Sequence, residues 1–227
     1  MTESEPTEGP GFDAFGLSET ILKTLGALGF ERPTPIQAAA FTPILEGRDV
    51  IGQARTGSGK TAAFGLPIVE RLIGADKHVR ALIMCPTREL ALQNTDALRS
   101  YAKGTKVRIA TVYGGAPYPP QVKALKGGVS IVVGTPGRLI DHLERGNFDA
   151  SHIEFMVLDE ADEMLRMGFQ EEVERILSAL PETRQSALFS ATMPKRIRKI
   201  AKRYLKDPVL LQVESSALSV GHIEQRS

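Results

Sequence analysis

The sequence predicts an α/β domain with a mostly parallel central sheet and helices on both faces. Short apolar runs bounded by turn residues alternate along the chain with stretches of helical periodicity. Strands that alternate with helices are joined by right-handed crossovers, which make the strands parallel and bury both faces of the sheet. Because such sheets bind ligands at the carboxyl ends of their strands, we expect the functional residues at that edge.

The predicted strands are short runs rich in aliphatic and β-branched residues. They are Asp49–Gly52, Ala81–Cys85, Val107–Val112, Val129–Val133, Phe155–Leu158 and Ser186–Phe189. Helical periodicity predicts helices between them. The clearest are Thr87–Lys103, Thr135–Arg145, Phe169–Ala179 and Pro194–Tyr204. We expect residues 12–213 to form one domain.

The two ends of the chain do not fit this pattern. Residues 1–11 are acidic, rich in Pro and Gly, and without a large hydrophobe after the initiator, so we expect a disordered tail. Residues 214–227 are small and polar, which is typical of a linker.

Composition excludes several classes of function. Lys and Arg number 28 against 27 Asp and Glu, so a net charge of +1 gives no long-range attraction to nucleic acid or membrane, and any nucleic-acid site is a local patch. Cys85 is the only cysteine, which excludes an intrachain disulfide and indicates a buried small hydrophobe. The sequence has no run of about 18 apolar residues and no signal-peptide pattern, so we expect a cytoplasmic protein.

The segment after the first predicted strand has the pattern of a phosphate-binding loop. It reads Ala54-Arg55-Thr56-Gly57-Ser58-Gly59-Lys60-Thr61 and leads into an apolar helical stretch. Its glycines let backbone N–H groups approach phosphate oxygens, while Lys60 would neutralise the β- and γ-phosphates and Thr61 would ligate Mg²⁺. Because the strict pattern begins with Gly where this chain has Ala54, the segment alone also fits an ordinary loop rich in Gly and Ser.

Two adjacent carboxylates, Asp159 and Glu160, follow the predicted strand Phe155–Leu158. One of them can hold Mg²⁺ and the other can position or deprotonate water. An acidic pair is also a common start of a solvated helix. Since this pair and the phosphate loop are expected at the same sheet edge, they predict a Mg²⁺-dependent nucleotide hydrolase with Lys60, Asp159 and Glu160 as catalytic residues.

Asp159-Glu160-Ala161-Asp162 matches the signature of DEAD-box RNA helicases, and further segments resemble that family's motifs in order. These are Gly29–Gln37 (Q motif), Pro86–Ala91 (Ia), Gly114–Gly115 (GG), Thr135–Arg138 (Ib) and Ser190–Thr192 (III). The phosphate loop beginning with Ala is the family's own variant, although Arg55 stands where the family more often has Gln. The resemblance spans Phe12 to about Val213, is strongest with bacterial members, and implies a RecA-like P-loop NTPase domain that uses ATP and Mg²⁺.

The resemblance also implies residue roles. Phe30 would stack on adenine and Gln37 would bond its edge, whereas without the motif the residue types alone favour a solvent-facing helix position for Gln37. Asp162, Ser190 and Thr192 would couple the nucleotide to the RNA surface, although small hydroxyl residues there also serve as a cap before Pro194.

Five further positions would line an RNA backbone groove. They are Thr87, Arg88, Gly115, Thr135 and Arg138. Hydroxyls, glycine N–H groups and single arginines suit phosphates and sugars and carry little base information. As isolated residues, the two arginines would be ordinary charges on a helix surface. His78, His142, His152 and His222 have no metal-ligand spacing, and we assign them no role.

The family's second RecA-like domain carries an arginine that completes the γ-phosphate site, and the 227 residues contain no such segment. We therefore expect a monomeric first domain that binds ATP, hydrolyses it poorly and unwinds nothing alone. The expected activity of the whole protein is ATP-dependent RNA strand separation. Two alternatives are a non-catalytic, ATP-gated RNA clamp and a DNA-directed motor, and the Q motif and Asp162 disfavour the motor.

Overall fold

The computed structural model describes residues 10–55 and 57–212. Thr56, most of the predicted acidic tail (residues 1–9) and the whole predicted linker (214–227) lie outside the described residues.

The core of the molecule is one seven-stranded sheet with the order β3-β4-β2-β5-β6-β1-β7, and every strand pair recorded in the described residues is parallel. The strands are β1 (Val50–Gln53), β2 (Ala81–Met84), β3 (Ile109–Val112), β4 (Ile131–Gly134), β5 (Phe155–Leu158), β6 (Gln185–Ser190) and β7 (Val209–Gln212). The α/β prediction with a parallel sheet is therefore confirmed.

Helices cover both faces of this sheet. They are α1 (Glu19–Ala27), α2 (Pro35–Leu45), α3 (Lys60–Arg71), α4 (Arg88–Tyr101), α5 (Tyr118–Lys126), α6 (Pro136–Glu144), α7 (Ala161–Arg166), α8 (Gln170–Ala179) and α9 (Lys195–Tyr204). The apolar residues of α1 to α4 pack in one core cluster and those of α5 to α9 in another.

Strand β5 shows how the sequence produces two cores. All four of its side chains are buried, and they alternate between the two faces. Phe155 and Val157 pack with α1 to α4, while Met156 and Leu158 pack with α5 to α9. A strand buried on both faces has no polar alternation, and for this reason it appears in the sequence as a continuous apolar run.

Helix starts follow local chemistry. Ser18 is the N-cap of α1, and its side chain accepts a hydrogen bond from the Ile21 N–H. Thr87 is the N-cap of α4, and its hydroxyl accepts a hydrogen bond from the Leu90 N–H. Pro35 occupies the first turn of α2, where a missing N–H costs nothing. No helix in the described ranges is long and apolar enough to cross a membrane.

All six predicted strands are present; Phe155–Leu158 has the predicted ends, and the ends of the others differ from the prediction by at most two residues. The strand prediction missed β7, a four-residue edge strand that pairs only with β1 in the described part of the sheet. Because Pro208 directly precedes it and its run is short, the sequence alone does not distinguish it from a loop.

The topology determines where the site lies. Strands β1 and β5 both pair with β6, so the chain segments that leave the carboxyl ends of these three strands are neighbours. The phosphate-loop segment follows β1, Asp159 and Glu160 follow β5, and Ser190 ends β6.

Candidate active site

The phosphate-loop segment joins β1 to α3 and is folded back on itself. Lys60, the first residue of α3, is 6% exposed, and its Nζ donates to the Ala54 carbonyl oxygen at 3.1 Å. The Ala54 N–H in turn donates to the Ser190 carbonyl oxygen at 3.1 Å. Gly57 is exposed in the loop, and the buried Ser58 Oγ has no hydrogen-bond partner among the described residues.

Gly59 is held closely by residues at the start of α2. The Gln37 side-chain amide nitrogen donates to the Gly59 carbonyl oxygen at 3.2 Å, and the Thr34 hydroxyl donates to the Ser58 carbonyl oxygen at 3.0 Å. Gly59 has φ 92°, and a Cβ there would lie 2.5 Å from Gln37 Nε2. Only glycine fits this combination of left-handed backbone and close approach.

Gln37 therefore contacts the phosphate-loop segment as well as its own helix. It is 2% exposed, and its Oε1 accepts from the Thr34 N–H at 3.0 Å. Phe30, the second residue with an implied adenine role, is half-buried and packs edge-on against Phe12 and Tyr101, with ring centroids 6.2 and 6.1 Å apart. The adenine role of both residues stays a prediction.

Asp159, directly after β5, is a buried carboxylate with one bonded oxygen. It is 2% exposed, and its Oδ2 accepts from Asn94 Nδ2 at 2.8 Å. Its Oδ1 is buried and has no partner within the described residues. Burial raises the pKa of Asp159, and the Asn94 hydrogen bond and the nearby Lys60 ammonium only partly offset this effect.

Asn94, on α4, links Asp159 to the phosphate-loop segment. Its Oδ1 accepts from the Thr61 hydroxyl at 2.9 Å while its Nδ2 donates to Asp159 and lies 3.3 Å from Cys85 Sγ. One amide therefore contacts both residues that the sequence predicts as metal ligands.

Glu160 turns the chain between β5 and α7. It caps α7 with φ 53° and ψ 51°, a left-handed conformation that non-glycine residues rarely adopt. The catalytic role of Glu160 stays a prediction.

Asp162 bonds the segment that follows β6. Its Oδ2 accepts from the Thr192 N–H at 3.0 Å and the Thr192 hydroxyl at 2.7 Å, and its own N–H donates to Ser190 Oγ at 3.2 Å. Burial alone would raise the pKa of Asp162, but bonds from Thr192 and Ser190 outweigh burial and hold the pKa below its ordinary value. Ser190 and Thr192 are therefore joined to Asp162 by hydrogen bonds, while their coupling role stays a prediction.

The residues with an implied RNA role lie in the segments that follow β2, β3 and β4, either in the loops or in the first turns of α4 and α6. Thr87 and Thr135 begin α4 and α6, and Gly115 is exposed with φ 75°. The Arg88 guanidinium lies 4.9 Å from the centre of the Tyr113 ring. Arg138 donates to the Ala116 carbonyl oxygen at 3.2 Å and lies 5.4 Å from the Tyr118 ring.

The strand order β3-β4-β2 places the five residues at one edge of the sheet. Arg88 lies over Tyr113, directly after β3, and Arg138 lies over Tyr118, the first residue of α5, which orients both guanidinium groups without neutralising their charge. Tyr113 and Tyr118 had no predicted role. The sequence does place these two tyrosines on either side of the Gly114–Gly115 pair, and this pattern could have indicated them.

Asn94 and Thr34 had no predicted role either. The signal for Asn94 was a polar residue within the buried stripe of α4, between Ala91 and Leu98. Thr34 was part of the quoted Q motif, but its bond to the phosphate-loop segment depends on the packing of α2 against α3, which no local pattern specifies.

Mg²⁺ fits the residues at this edge. Asp159 presents a buried oxygen without a partner in the described residues, and the Thr61 hydroxyl lies on the other side of Asn94. Mg²⁺ in nucleotide sites takes one or two protein oxygens and completes its shell with water and phosphate oxygens. The described residues contain no group of three or more His, Cys, Asp or Glu residues that could hold a metal ion.

Comparison with known proteins gives consistent matches. A sequence model described as DEAD/DEAH box helicase matches residues 34–200. The chain is 51% identical to the ATP-dependent RNA helicase DeaD of Haemophilus influenzae over 94% of this chain and 35% of that protein. It is 49% identical to DeaD of Escherichia coli over 99% of this chain and 35% of that protein.

The DEAD-box ATP-dependent RNA helicase CshA of Geobacillus kaustophilus is 48% identical over 94% of this chain and 46% of its own length. A crystal structure of a DEAD box protein from Methanococcus jannaschii superposes with a TM-score of 0.84 at 44% identity, over 88% of this chain and 55% of that one. The chain spans about a third of the DeaD sequences. With the phosphate-loop segment, the Asp159-Glu160 pair and the Asp162–Thr192 bond at one edge of a RecA-like sheet, the chain belongs to the DEAD/DEAH box helicase family.

Proposed function

We propose that the chain is the ATP-binding domain of an ATP-dependent RNA helicase. The observation that carries this proposal is the connection of Lys60, Thr61 and Asp159 at the carboxyl edge of β1 and β5, where Asp159 keeps one buried oxygen without a partner in the described residues. The names of the relatives support ATP and RNA as the ligands.

Nucleotide binding would replace contacts that the phosphate-loop segment now makes with itself. Lys60 Nζ would leave the Ala54 carbonyl oxygen and donate to the β- and γ-phosphates, because a phosphate is a stronger acceptor than a peptide carbonyl. Backbone N–H groups of Gly57, Ser58 and Gly59 would complete the phosphate contacts at the start of α3. Thr56 belongs to the same proposed loop.

Thr61 and Asp159 would hold Mg²⁺, which when bound neutralises charge on the phosphates. Glu160, the next residue along the chain, would orient or deprotonate the attacking water. The two adjacent carboxylates would thus serve different purposes.

We further propose that Phe30 and Gln37 recognise adenine. The Gln37 amide now bonds the Thr34 N–H and the Gly59 carbonyl oxygen, so one of its amide hydrogens and one oxygen lone pair are left for a base. Since Gln37 is 2% exposed, reaching a base requires the contact between α2 and the phosphate-loop segment to open.

RNA would bind across the loops that carry Thr87, Arg88, Gly115, Thr135 and Arg138. Their donors suit phosphate and ribose oxygens, which favours binding that tolerates sequence. Asp162, Ser190 and Thr192 would couple the two sites, because their hydrogen bonds connect the start of α7, next to Asp159, with the segment after β6.

We also propose that the whole protein has a second RecA-like domain that closes with this one on RNA when ATP is bound. The lengths of the relatives, of which this chain covers about a third, support a larger protein. This domain alone would be monomeric and cytoplasmic and would hydrolyse ATP slowly.

Replacing Lys60 with Ala tests the nucleotide site. Mg–ATP affinity, measured by calorimetry on the 227-residue chain, is expected to fall by on the order of 100-fold, because two charge-assisted hydrogen bonds to phosphate are lost. The control is Lys23→Ala, which removes an exposed lysine paired with Glu19 on α1 and should leave affinity unchanged. Wild-type affinity in Lys60→Ala would refute the proposed function.

A further inference from the structure

The two residues proposed to hold Mg²⁺ are joined by a buried amide that neither the motifs nor the comparisons single out. We propose that Asn94 is a positioning residue of this site, which sets the Thr61 hydroxyl and the Asp159 carboxylate in the orientation that binds the metal. The inference rests on the proposed function and concerns the metal-dependent part of nucleotide binding.

The orientation of the Asn94 amide follows from its partners. Asp159 Oδ2, at 2.8 Å, can only accept when ionised, so the amide NH₂ must face it. The amide oxygen then faces Thr61 Oγ1 at 2.9 Å, and the hydroxyl must donate to it. The Asn94 side chain has one arrangement that satisfies both neighbours.

This arrangement prepares Thr61 as a ligand. A hydroxyl has one hydrogen and two lone pairs, and the hydrogen of Thr61 is used by Asn94 Oδ1. Both lone pairs then point away from the amide. Without Asn94, the hydroxyl is free to rotate and to donate elsewhere.

The same amide makes the two oxygens of Asp159 different. Oδ2 is bonded to Asn94, while Oδ1 is buried without a partner in the described ranges. A carboxylate anchored through one oxygen cannot rotate without breaking that bond. Oδ1 is therefore the oxygen available to a cation or to one of its water ligands.

The burial of Asn94 argues against a role in packing alone. The residue is 1% exposed and lies in the apolar stripe of α4, where an aliphatic side chain of similar volume would pack without needing polar partners. Its polar atoms bond Thr61 and Asp159 and contact Cys85 Sγ. We infer that the amide is present at this position because it holds Thr61 and Asp159.

The test is Asn94→Leu in the 227-residue chain, with ADP affinity measured by calorimetry in excess Mg²⁺ and in EDTA. We expect the ratio of the two affinities, which is the gain from the metal, to fall by about tenfold, the effect of one lost hydrogen bond to a charged group. Affinity in EDTA is expected to stay within about twofold, because Lys60 and the backbone donors are unchanged.

Thr95→Val is the matched control. Thr95 is the next residue of α4, is fully buried, and bonds the Ala91 carbonyl oxygen and Thr111 rather than the site. It should leave the metal-dependent gain unchanged even if the melting temperature falls. If Asn94→Leu does not fold by circular dichroism, Asn94→Ala, which leaves room for water, takes its place in the same measurements.

A double-mutant cycle with Thr61→Val separates positioning from general destabilisation. If Asn94 acts through Thr61, the effect of Asn94→Leu on the metal-dependent gain becomes smaller in the Thr61→Val background. An unchanged gain in Asn94→Leu, or effects that simply add, would overturn the inference. Absence of nucleotide binding by the wild-type chain would instead overturn the proposed function, so the two failures are distinguishable.

Discussion

At the scale of single residues, Asp159 carries a charge in a place that favours a neutral group. Burial raises its pKa, and an acid with a raised pKa stabilises the fold only at pH values below its unfolded pKa and loses that contribution as the pH rises through the folded value. Once ionised, Asp159 therefore lowers the stability of the ligand-free domain. The proposed function requires this charge, because the ionised carboxylate binds a divalent cation.

We predict that Asp159→Asn raises the melting temperature of the ligand-free chain at pH 7 by about 2 °C while removing the Mg²⁺-dependent gain in ADP affinity. The reason is that the substitution removes the buried charge and keeps an acceptor for Asn94. Thermal denaturation between pH 3 and 7 should show the difference from wild type vanishing at the acidic end. A lower melting temperature at pH 7 would contradict this account.

The sequence reveals a site residue when the role of that residue depends on its neighbours along the chain. Short motifs next to strands contain the phosphate-loop segment, Asp159, and the pair Asp162 and Thr192, so their patterns predict them as site residues. Asn94 acts by contacting residues that are 33 and 65 positions away, so its role appears only when α4 packs beside β5 and α3. The bonds of Gln37 to the phosphate-loop segment are non-local in the same way.

At the scale of elements, Asp162 and Thr192 connect the start of α7 to the end of β6. Because the folded pKa of Asp162 is lowered from 3.8, its contribution to stability is present above that value and is lost as the pH falls through the folded pKa. We predict that Asp162→Asn lowers the free energy of unfolding by about 1 kcal/mol at pH 7. The difference should shrink below pH 3.8 in urea denaturation, and a difference independent of pH would contradict it.

Strand β4 ends at Gly134, where the neighbouring strand β3 leaves no room for a side chain. A Cβ on Gly134 would lie 2.4 Å from the Val112 carbonyl oxygen and 3.0 Å from Leu139 Cγ. We predict that Gly134→Ala lowers the free energy of unfolding by about 2 kcal/mol, since backbone cannot move aside as a flexible side chain can. Gly137→Ala, three residues along in α6 with nothing within 4 Å of its Cβ position, is the control and should change it by less than about 1 kcal/mol. Equal losses in urea denaturation would contradict this explanation.

The sequence predicted the interior strands of the sheet and one of its two edge strands. Strands β1, β2, β4, β5 and β6 lie inside the sheet and appear as apolar runs because parallel strands there are buried on both faces, and edge strand β3 was predicted because three of its four residues are also buried. Edge strand β7 was missed because its run is short and directly follows Pro208. The exact strand order, with β6 between β1 and β5, cannot be derived from a pattern that describes each strand separately.

At the scale of the whole molecule, charge is nearly balanced, with a net value of +1. RNA attraction must then come from local cations, and the proposed groove offers Arg88 and Arg138. We predict that RNA binding by this chain has a log–log salt slope of about −1.4, from two phosphate contacts at about −0.7 each. Arg88→Ala should reduce the slope to about −0.7.

The control for the salt experiment is Arg99→Ala, which removes an exposed arginine on the same helix that pairs with Asp96. Its slope should equal that of wild type. Fluorescence titrations of a single-stranded RNA over a range of salt concentrations provide the measurement. A slope much steeper than about −1.4 would show that further cations of the chain bind phosphate.

The burial of Cys85 beneath the site has a practical consequence, because the only thiol in the sequence can report when that region opens. Its Sγ lies 3.3 Å from Asn94 Nδ2, and burial, followed by the charge of Asp159, raises its pKa well above that of a free thiol. A thiol reagent therefore reacts only with molecules in which this region has opened, and no engineered label is needed. If opening releases nucleotide, Mg–ADP at 100 times its Kd should slow labelling by about 100-fold, measured by absorbance or mass spectrometry. Labelling at an unchanged rate would mean that the thiol becomes accessible without disturbing the nucleotide.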